Sequence, residues 1–391
     1  MISKFIKGEV KDAEENKPVV HASIRIKGTP MGTLSERNGR FTLPISPAIT
    51  YQDTLEISSV GYIPAFYVVS SVIADQNLEV KLIPAQVMLN EVVITGKSSL
   101  IGIIKKVHDK IGSNYIQSPY STQMLYKYSC RKNDSLELQE LALLSFWDAE
   151  GFRRSNWESV VERKYLQIEK LKIDKIRTKN NISSLPNLWT IWTGDPILTK
   201  RNLLSEGTIN SYELLLTDTL DYQNRTVYKI NFTCTKPSAY TTPYAYPSPI
   251  SYQGFLYIDV KNFAVVKYEA FTTWESQVLS KKSIIKRFFM KTPFQLTRTA
   301  HDVYEYEHLK GVYFLKYARN SSNYTINALD ESKGYKQENK AEFLNISIEM
   351  TNPKMLKKNL LQTTTNVPID EKFWDNYQFF LNNEFEKYEN K

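Results

Sequence analysis

The first quarter of the chain alternates apolar and polar residues over short stretches, and turn residues separate these stretches at close intervals. Because successive side chains of a strand point to opposite faces, this alternation predicts strands that are buried on one face only. The inward positions that it predicts are Val20, Ala22, Ile24, Ile26, Phe41, Leu43, Ile45, Leu55, Ile57, Leu78, Val80 and Leu82. Short strands at this spacing predict a small all-β sandwich.

The dipeptide Asn38-Gly39 lies between two of these stretches and predicts a β-hairpin, because both residues tolerate positive φ. Polar residues fill the alternate positions around the second strand, and we expect them on its opposite face: His21, Ser23, Arg25 and Lys27. Nothing between Lys7 and Gly96 forms a catalytic or binding constellation. This region therefore predicts a fold and no reaction.

The segments GTLSERNGRFTL, DTLEISSVGY and LNEVVITGK resemble the carboxypeptidase-regulatory-like module of Bacteroidota envelope proteins, which also precedes the plug of many TonB-dependent outer-membrane receptors. The resemblance implies a seven-stranded transthyretin-like sandwich without catalytic residues. It also implies an exported protein of the periplasm or outer membrane. The start, MISKFIKGEV, lacks the apolar core of a signal peptide, so we expect a native signal to precede this numbering.

Composition agrees with a mainly β protein of more than one domain. The 391 residues include 25 Tyr, 18 Phe and 6 Trp, which favour half-buried strands. The net charge is +8, but the basic residues are scattered as short pairs, so nucleic-acid binding is not expected. Contact with an anionic membrane surface stays open, while a solvated basic surface is the simpler interpretation. No apolar run reaches the length of a membrane helix.

The spacing of the apolar residues changes after the sandwich. Apolar residues recur at helical spacing at Leu100, Ile103, Ile104, Val107 and Ile111, and they predict an amphipathic helix. From Ser121 the chain returns to long strands, with a shift of face expected between Ile168 and Leu171 at a bend or bulge. We therefore divide the chain into a sandwich over 1–97, a linker helix over 98–118, and a curved antiparallel sheet domain with few helices over 119–391.

The runs RTVYKINF and GFLYIDVKNFAVVKYEA are similar to the core hairpins of the LolA-like lipoprotein-carrier half-barrel. The resemblance implies a curved antiparallel sheet that wraps around helices and can hold acyl chains. Asp259 to Asn262 and Lys310-Gly311 predict hairpin turns in this region. The C-terminal tail ends the domain with an aromatic helical stripe made of Phe373, Trp374, Tyr377 and Phe380.

The familiar nucleotide, zinc-peptidase and serine-hydrolase motifs are absent from the sequence, and we expect no metal and no cofactor. His301 and His308 are seven residues apart, so one strand would place them on opposite faces. Asp148 and Glu150 would share a strand face and are the first candidates for a carboxylate-based hydrolase. A charged edge strand is the simpler interpretation.

Two cysteines are too few for a disulfide framework. Cys130 and Cys234 lie in strand-like segments, and two interpretations stay open. An exported chain would allow them to form one long-range disulfide. Two buried free thiols are the favoured alternative, because free cysteine is among the most buried residue types.

Aromatic residues on irregular segments supply the candidate ligand site. Trp189 and Trp192 lie in a segment expected to cap the sheet, and Tyr240, Tyr244 and Tyr246 lie in a loop rich in Pro and Tyr. Such side chains can form a stacking platform or the mouth of an apolar cavity. The competing interpretation is that they fill the open face of the sheet. It is favoured because large aromatic residues pack protein cores more often than they bind ligands.

The sequence therefore predicts a non-enzymatic envelope protein that captures an apolar, amphipathic or lipidic ligand, or a partner protein, on the sheet domain. A structural or interaction module that accompanies TonB-dependent uptake of glycans or peptides, with outer-membrane receptor components as partners, is the first alternative. A hydrolase is the second. Capture of a ligand predicts an apolar cavity bordered by Trp189 and Trp192.

Overall fold

A computed structural model shows a mainly β chain with a smaller N-terminal unit and one large sheet. The residues that it describes are 4–27, 29, 32–45, 49–59, 61–73, 77–84, 97–155, 160, 162–175, 186–200, 202–222, 225–244, 248–278, 294–328, 334–357 and 373–374.

The N-terminal unit is a sandwich of two sheets with the strand orders β4-β1-β7 and β3-β2-β5-β6. Its elements are β1 (Lys4–Asp12), β2 (Ser23–Ile26), β3 (Gly32–Leu34), β4 (Arg40–Ile45), β5 (Thr54–Ser58), β6 (Ala65–Val68), α1 (Val69–Ile73) and β7 (Leu78–Leu82). The seven-stranded all-β sandwich that the alternation and the resemblance predicted is confirmed within the described residues.

The alternating apolar residues form the core between the two sheets. Those whose side chains are described and buried are Ala22, Ile24, Ile26, Phe41, Leu43, Leu55, Ile57, Leu78, Val80 and Leu82. Val20 is the exception, because 40% of it is exposed. His21 follows it with φ of 57°, so the regular strand conformation begins only at Ser23. The side chain of Ile45 lies outside the described part.

The hairpin predicted at Asn38-Gly39 was wrong, because the two flanking strands belong to different sheets. Strand β3 pairs with β2, whereas β4 pairs with β1. Gly39 adopts φ of 79°, and a Cβ added there would lie 2.3 Å from the carbonyl oxygen of Val10. Glycine therefore lets the chain turn tightly against β1 while it crosses from one sheet to the other.

Helix α2 (Lys97–Asn114) follows the sandwich and packs against the large sheet. Its helically spaced apolar residues Leu100, Ile103, Ile104, Val107 and Ile111 are all buried in the same core as the sheet. Burial of this stripe, rather than helix propensity, holds the helix in place. Among the described residues, no helix is long and apolar enough to cross a membrane.

The second unit is a ten-stranded antiparallel sheet with the order β10-β9-β8-β17-β16-β15-β14-β13-β12-β11. Its elements in chain order are β8 (Tyr120–Lys132), β9 (Ser135–Asp148), β10 (Lys164–Lys175), α3 (Pro186–Gly194), a 3₁₀ turn (Ile209–Ser211), β11 (Tyr212–Tyr222), β12 (Arg225–Cys234), β13 (Ser251–Asp259), β14 (Val265–Val278), β15 (Phe294–Leu309), β16 (Val312–Ala328) and β17 (Tyr335–Glu349). Strand β17, the last strand of the sheet in sequence, lies between β16 and β8.

Local chemistry explains the strand irregularities and turns. The register of β10 against β9 shifts between Ile168 and Lys170, so the change of face predicted before Leu171 is confirmed. The Asp259 carboxylate accepts backbone hydrogen bonds from Lys261 and Asn262 in the β13–β14 turn. Lys310 and Gly311 both have positive φ in the β15–β16 turn, as an Asn-Gly-like hairpin requires.

The cysteines and the tail have defined places. Cys130 and Cys234 form no disulfide with each other; Cys234 is buried, whereas Cys130 is only partly buried. Of the predicted tail stripe, Phe373 and Trp374 are described and helical, while Tyr377 and Phe380 lie outside the described residues. The indole of Trp374 is buried against an apolar cluster on the sheet, made of Leu125, Leu141 and Leu143. The C-terminal tail is therefore attached to the sheet domain at this point.

The sandwich packs on the large sheet through charged residues. Arg25 donates to Glu56 of its own sheet at 3.0 Å and to Glu307 of β15 at 2.9 Å. Leu34 packs beside them against Val303 and Tyr317. Arg25 of β2, which the sequence placed on the face away from the core, thus forms part of the contact between the two units.

A glycine in β13 gives a test of how closely the strands approach. A Cβ added to Gly254 would lie 1.9 Å from the carbonyl oxygen of Glu269 and 2.9 Å from the Phe232 ring. We expect Gly254→Ala to lower the free energy of unfolding by about 1–3 kcal/mol, the usual cost of forcing atoms into a packed region. Denaturant unfolding followed by circular dichroism measures this change.

The matched control is Gly102→Ala in α2, where an added Cβ meets no atom within 4 Å. Alanine is the better helix former, so this variant should gain about 0.5–1 kcal/mol. Equal stability of the two variants would contradict the close approach at Gly254.

The ion pairs between the units give a second test. Side-chain exposure is 13% for Arg25, 6% for Glu56 and 3% for Glu307. Arg25→Ala would leave the buried Glu56 without the cation that pairs with it and Glu307 with only Lys316 at 3.8 Å, and we expect a loss of about 3–5 kcal/mol. Lys17→Ala removes the exposed pair with Glu15 and should change stability by less than about 1 kcal/mol. Similar losses in the two variants would refute the role of Arg25.

Candidate functional site

The two faces of the ten-stranded sheet differ in what covers them. Tyr304 of β15 points to one face, where its hydroxyl donates to the carbonyl oxygen of Ile191 in α3 at 2.9 Å. Val303 points to the other face and packs against Leu34 of the sandwich. We call the face covered by α2 and α3 the inner face, and the face covered by the sandwich the outer face.

An aromatic row crosses the inner face beneath α3. Register places Tyr268, Tyr304 and Ala318 side by side on β14, β15 and β16, and Phe343 continues the row on β17. The rings of Tyr268 and Tyr304 are 6.1 Å apart. These side chains are buried, and together with the helices they fill this part of the interior.

The next positions on the same face carry much smaller side chains. Two neighbouring register rows cross β13 to β17, and within them six residues are no larger than threonine. We call this set the small-residue belt: Gly254, Ala270, Thr272, Ala300, Ser322 and Ala341. All six residues are buried. Side chains of this size cannot fill a protein interior by themselves.

Asp302 and Asn320 lie within the belt and form its polar centre. The Asp302 carboxylate accepts hydrogen bonds from the Tyr244 hydroxyl and from the Asn320 amide. Burial raises the pKa of Asp302, although both of these hydrogen bonds oppose the change. Tyr244, one of the residues that the sequence proposed for ligand binding, therefore reaches the belt from the loop before β13.

A cationic and aromatic row borders the belt on the side away from α3. Arg298 pairs in register with Trp274 of β14 and with Tyr324 of β16. Its guanidinium lies 4.4 Å from the centre of the Trp274 ring and 5.2 Å from that of Tyr324. The Tyr244 ring meets Trp274 edge-on at 4.7 Å. We call Trp274, Arg298 and Tyr324 the rim row.

The other proposed ligand-binding residues lie elsewhere. Trp192 is buried in α3 and packs against Phe146 at 4.8 Å. Tyr240 is 77% exposed. The backbone of Trp189 belongs to α3, but its side chain lies outside the described part, as does Tyr246. The assignment of these residues and Tyr244 to ligand binding stays a prediction.

Asp148 and Glu150 do not share a strand face, because β9 ends at Asp148. The carboxylate of Asp148 is buried, forms an ion pair with Lys164, and accepts the backbone hydrogen bond of Gly151 at 3.1 Å. Glu150 is more exposed and pairs with Arg163 at 3.4 Å. The pair predicted for a hydrolase was therefore wrong in its geometry: Asp148 holds the turn together instead.

A further buried carboxylate lies on the inner face. Asp195 accepts from the Tyr306 hydroxyl at 2.7 Å and from the backbone of Ile197 at 2.8 Å. Burial raises the pKa of Asp195 to about 6 against these hydrogen bonds. These contacts connect the end of α3 to β15, which gives Asp195 a structural role.

The histidines lie apart, on opposite faces as their spacing predicted. His301 stacks on Phe271 at 4.3 Å, whereas His308 lies against Tyr313 at 4.9 Å. In the described part of the chain, no group of three or more His, Cys, Asp and Glu side chains is arranged to hold a metal ion.

Sequence reasoning missed the belt, Trp274 and Arg298. The signal exists within single strands, because FTTWES places Thr272 and Trp274 on one face of β14. The belt itself depends on the register of five strands. Neither composition nor spacing within one strand contains that information.

The comparisons with known proteins address the two units separately. The comparison with curated proteins finds no match. Among solved structures, a LolA superfamily protein from Nitrosomonas europaea matches at 11% identity and a TM-score of 0.22, covering 66% of this chain and 98% of that one. A putative outer membrane lipoprotein-sorting protein domain from Vibrio parahaemolyticus matches at 9% identity and a TM-score of 0.24, covering 66% and 94%. At these TM-scores the two solved structures do not define the fold of the second unit, which its own strand order defines.

The family comparison concerns the sandwich. Residues 6–94 match the model of the CarboxypepD_reg-like domain, a stretch that begins in β1 and extends beyond β7. The matched stretch contains the first two segments that carry the resemblance, GTLSERNGRFTL and DTLEISSVGY, and the beginning of the third, LNEVVITGK. Residues 6–94 are therefore a CarboxypepD_reg-like domain, joined in this chain to a ten-stranded antiparallel sheet.

Proposed function

We propose that the chain is a non-enzymatic binding protein of the cell envelope, which holds an apolar or amphipathic ligand on the inner face of its large sheet. The small-residue belt carries this proposal. It lies between the aromatic row beneath α3 and the rim row, so a floor of small side chains with a polar centre is bordered by rings on two sides. Pockets for small ligands commonly combine apolar walls with a few placed polar groups.

The dimensions of the belt favour an elongated ligand. Phe232 lies against Gly254, and Tyr252 occupies the second row, so large side chains fill the β13 end of the belt. Its small residues run across β14 to β17, and since adjacent strands lie about 4.8 Å apart, this part extends roughly 14 Å across the sheet. Both oxygens of Asp302 already accept hydrogen bonds, from Asn320 and from Tyr244, so this carboxylate needs no polar group from a ligand. An extended alkyl chain lying across the strands fits this floor.

The proposal also includes the compartment in which the protein is located. A CarboxypepD_reg-like domain and the resemblance of the hairpins to lipoprotein carriers both support an exported protein, located in the periplasm or at the outer membrane. In that setting, lipids and other amphipathic molecules are the available ligands. The carboxylate-based hydrolase loses its first candidates, because Asp148 and Glu150 diverge into separate ion pairs.

An exposed apolar edge favours the second candidate function, an interaction module that accompanies outer-membrane uptake. Strand β6 lies at the edge of its sheet, with Phe66 and Val68 exposed at 44% and 48%. Ile63 and Ile83 are also exposed, and a backbone hydrogen bond joins them at 2.9 Å. Exposed apolar strand edges are sites at which another chain can add a strand.

Enlarging a side chain in the belt tests whether the belt is space for a ligand or is filled by the protein itself. Ala318 lies between Tyr304 and Phe343 in the filled aromatic row, so Ala318→Leu should lose about 1–3 kcal/mol by overpacking. If the belt is ligand space, Ala300→Leu should lose less than about 1 kcal/mol, because the added atoms enter that space. Denaturant unfolding of both variants measures the difference. Equal losses would mean that the protein itself fills the belt.

The same two variants test binding. We expect the wild-type chain to bind dansyl-undecanoic acid, measured by its fluorescence. Ala300→Leu should weaken this affinity by about tenfold or more, which corresponds to about 1.4 kcal/mol of lost contact. Protein purified from its native envelope should retain a ligand of lipid size in native mass spectrometry. A wild-type chain that neither retains a lipid nor binds the probe would refute the ligand proposal.

The second candidate function has a separate test. Phe66→Lys and Val68→Lys together should abolish capture of receptor components from solubilised native membranes, because they place charge on the exposed edge. Lys81→Glu, an exposed change elsewhere in the sandwich, should leave capture intact. A chain that captures no envelope component and remains monomeric in its native membranes would refute this function.

A further inference from the structure

The rim row holds one arginine in a fixed position on the inner face. Register places Arg298 between Trp274 and Tyr324 on the two neighbouring strands. The guanidinium lies within 4.4 Å and 5.2 Å of the two ring centres, so aromatic groups contact it from both sides. Such stacking restricts the guanidinium, while the N–H groups in its plane stay available for hydrogen bonds.

These N–H groups are unused within the described part of the chain. Arg298 forms no hydrogen bond and no ion pair with any described residue, and its Nε is buried without a partner. A buried donor that lacks an acceptor lowers stability. Two other partly buried arginines have acceptors within the chain: Arg25 donates to two carboxylates, and Arg154 donates to the carbonyl oxygens of Thr199 and Leu204.

The nearest acid on the same face is already engaged. Asp302 lies further along β15, and both of its oxygens accept hydrogen bonds, from Tyr244 and from Asn320. Its carboxylate therefore acts on Arg298 through charge at a distance and not as a hydrogen-bond partner. The positive charge of Arg298 remains available to an anion that arrives from outside the protein.

We propose that Arg298 binds the anionic head group, a carboxylate or a phosphate, of an amphipathic ligand whose apolar part lies on the small-residue belt. The planar guanidinium matches both groups in a two-point hydrogen-bonded geometry. The belt adjoins Arg298, since Ala300 is the next residue of β15 on the inner face. This inference rests on the proposed function and adds to it the chemistry of the head group.

The test compares amphiphiles with alkyl chains of similar length and with charged or uncharged head groups. Dodecanoate, dodecyl phosphate and the uncharged dodecyl maltoside are titrated by calorimetry below their micellar concentrations, and inorganic phosphate is titrated alone. We expect the wild-type chain to bind both anionic amphiphiles about 10- to 100-fold more tightly than the uncharged one, the range for a charge-assisted hydrogen-bonded pair. Equal affinities for the three amphiphiles would overturn the assignment of Arg298 while leaving the proposed function intact.

Arg298→Gln tests the residue directly. It should weaken both anionic amphiphiles by about tenfold or more and leave the affinity for dodecyl maltoside within about twofold. Arg298→Lys keeps the charge but loses the planar edge, and its affinities should fall between those of the other two proteins. Arg37→Gln makes the same change of charge at an exposed position of the sandwich and should alter none of the affinities.

The titrated ligands distinguish an anion that belongs to an amphiphile's head group from a free anion. Inorganic phosphate that binds as tightly as dodecyl phosphate would identify a site for free anions and overturn the head-group assignment. Failure of every amphiphile to bind would refute the proposed function together with this inference. Circular dichroism and thermal unfolding establish that the variants are folded. If Arg298→Gln does not fold, the preference of the wild-type chain for anionic amphiphiles and the Arg298→Lys titration decide the question.

Discussion

The two-residue alternation of the central strands is the constraint on which the rest of the structure depends. Strand β15 points Asp302 and Tyr304 to the inner face and Val303 and Glu305 to the outer face. A slip of one residue against β14 or β16 would exchange the two sets. Glu305 would then enter an aromatic core. The chemical contrast between the faces therefore specifies the register, and the register places the small-residue belt and the rim row.

The outer face shows how the chain satisfies charges that it buries. Burial, and next the charge of Arg319, lower the pKa of His21 to about 3, so the ring is neutral at neutral pH and contacts Arg319 as an acceptor at 3.5 Å. Burial favours the neutral form of Glu342, yet Lys340 and Lys127 outweigh it and hold the pKa of that carboxyl well below its usual range. The contact of Arg319 with His21 thus joins sheet and sandwich, whereas the ion pair of Glu342 with Lys340 lies within the sheet.

The sequence was sufficient for features that depend on neighbouring residues. Alternation identified the buried positions of the sandwich, the change of face in β10 and the turn at Lys310-Gly311. It failed at Asn38-Gly39, because a turn sequence does not say which strand its neighbours will pair with. For the same reason, the sequence did not predict the rim row. Trp274, Arg298 and Tyr324 lie far apart in the sequence, and only the pairing of β14, β15 and β16 brings them together.

The two faces are connected through the backbone that they share. The strands that carry Trp274, Arg298 and Tyr324 on the inner face are also those that carry Lys267, Glu307 and Arg319 on the outer face. The outer residues form ion pairs and contacts beneath the sandwich, and Arg25 of the sandwich is one of their partners. Fixing the outer side chains restrains the strands themselves, because side chains on both faces belong to one hydrogen-bonded ladder. The CarboxypepD_reg-like domain thus contacts the outer face of the strands that carry Arg298 on their inner face.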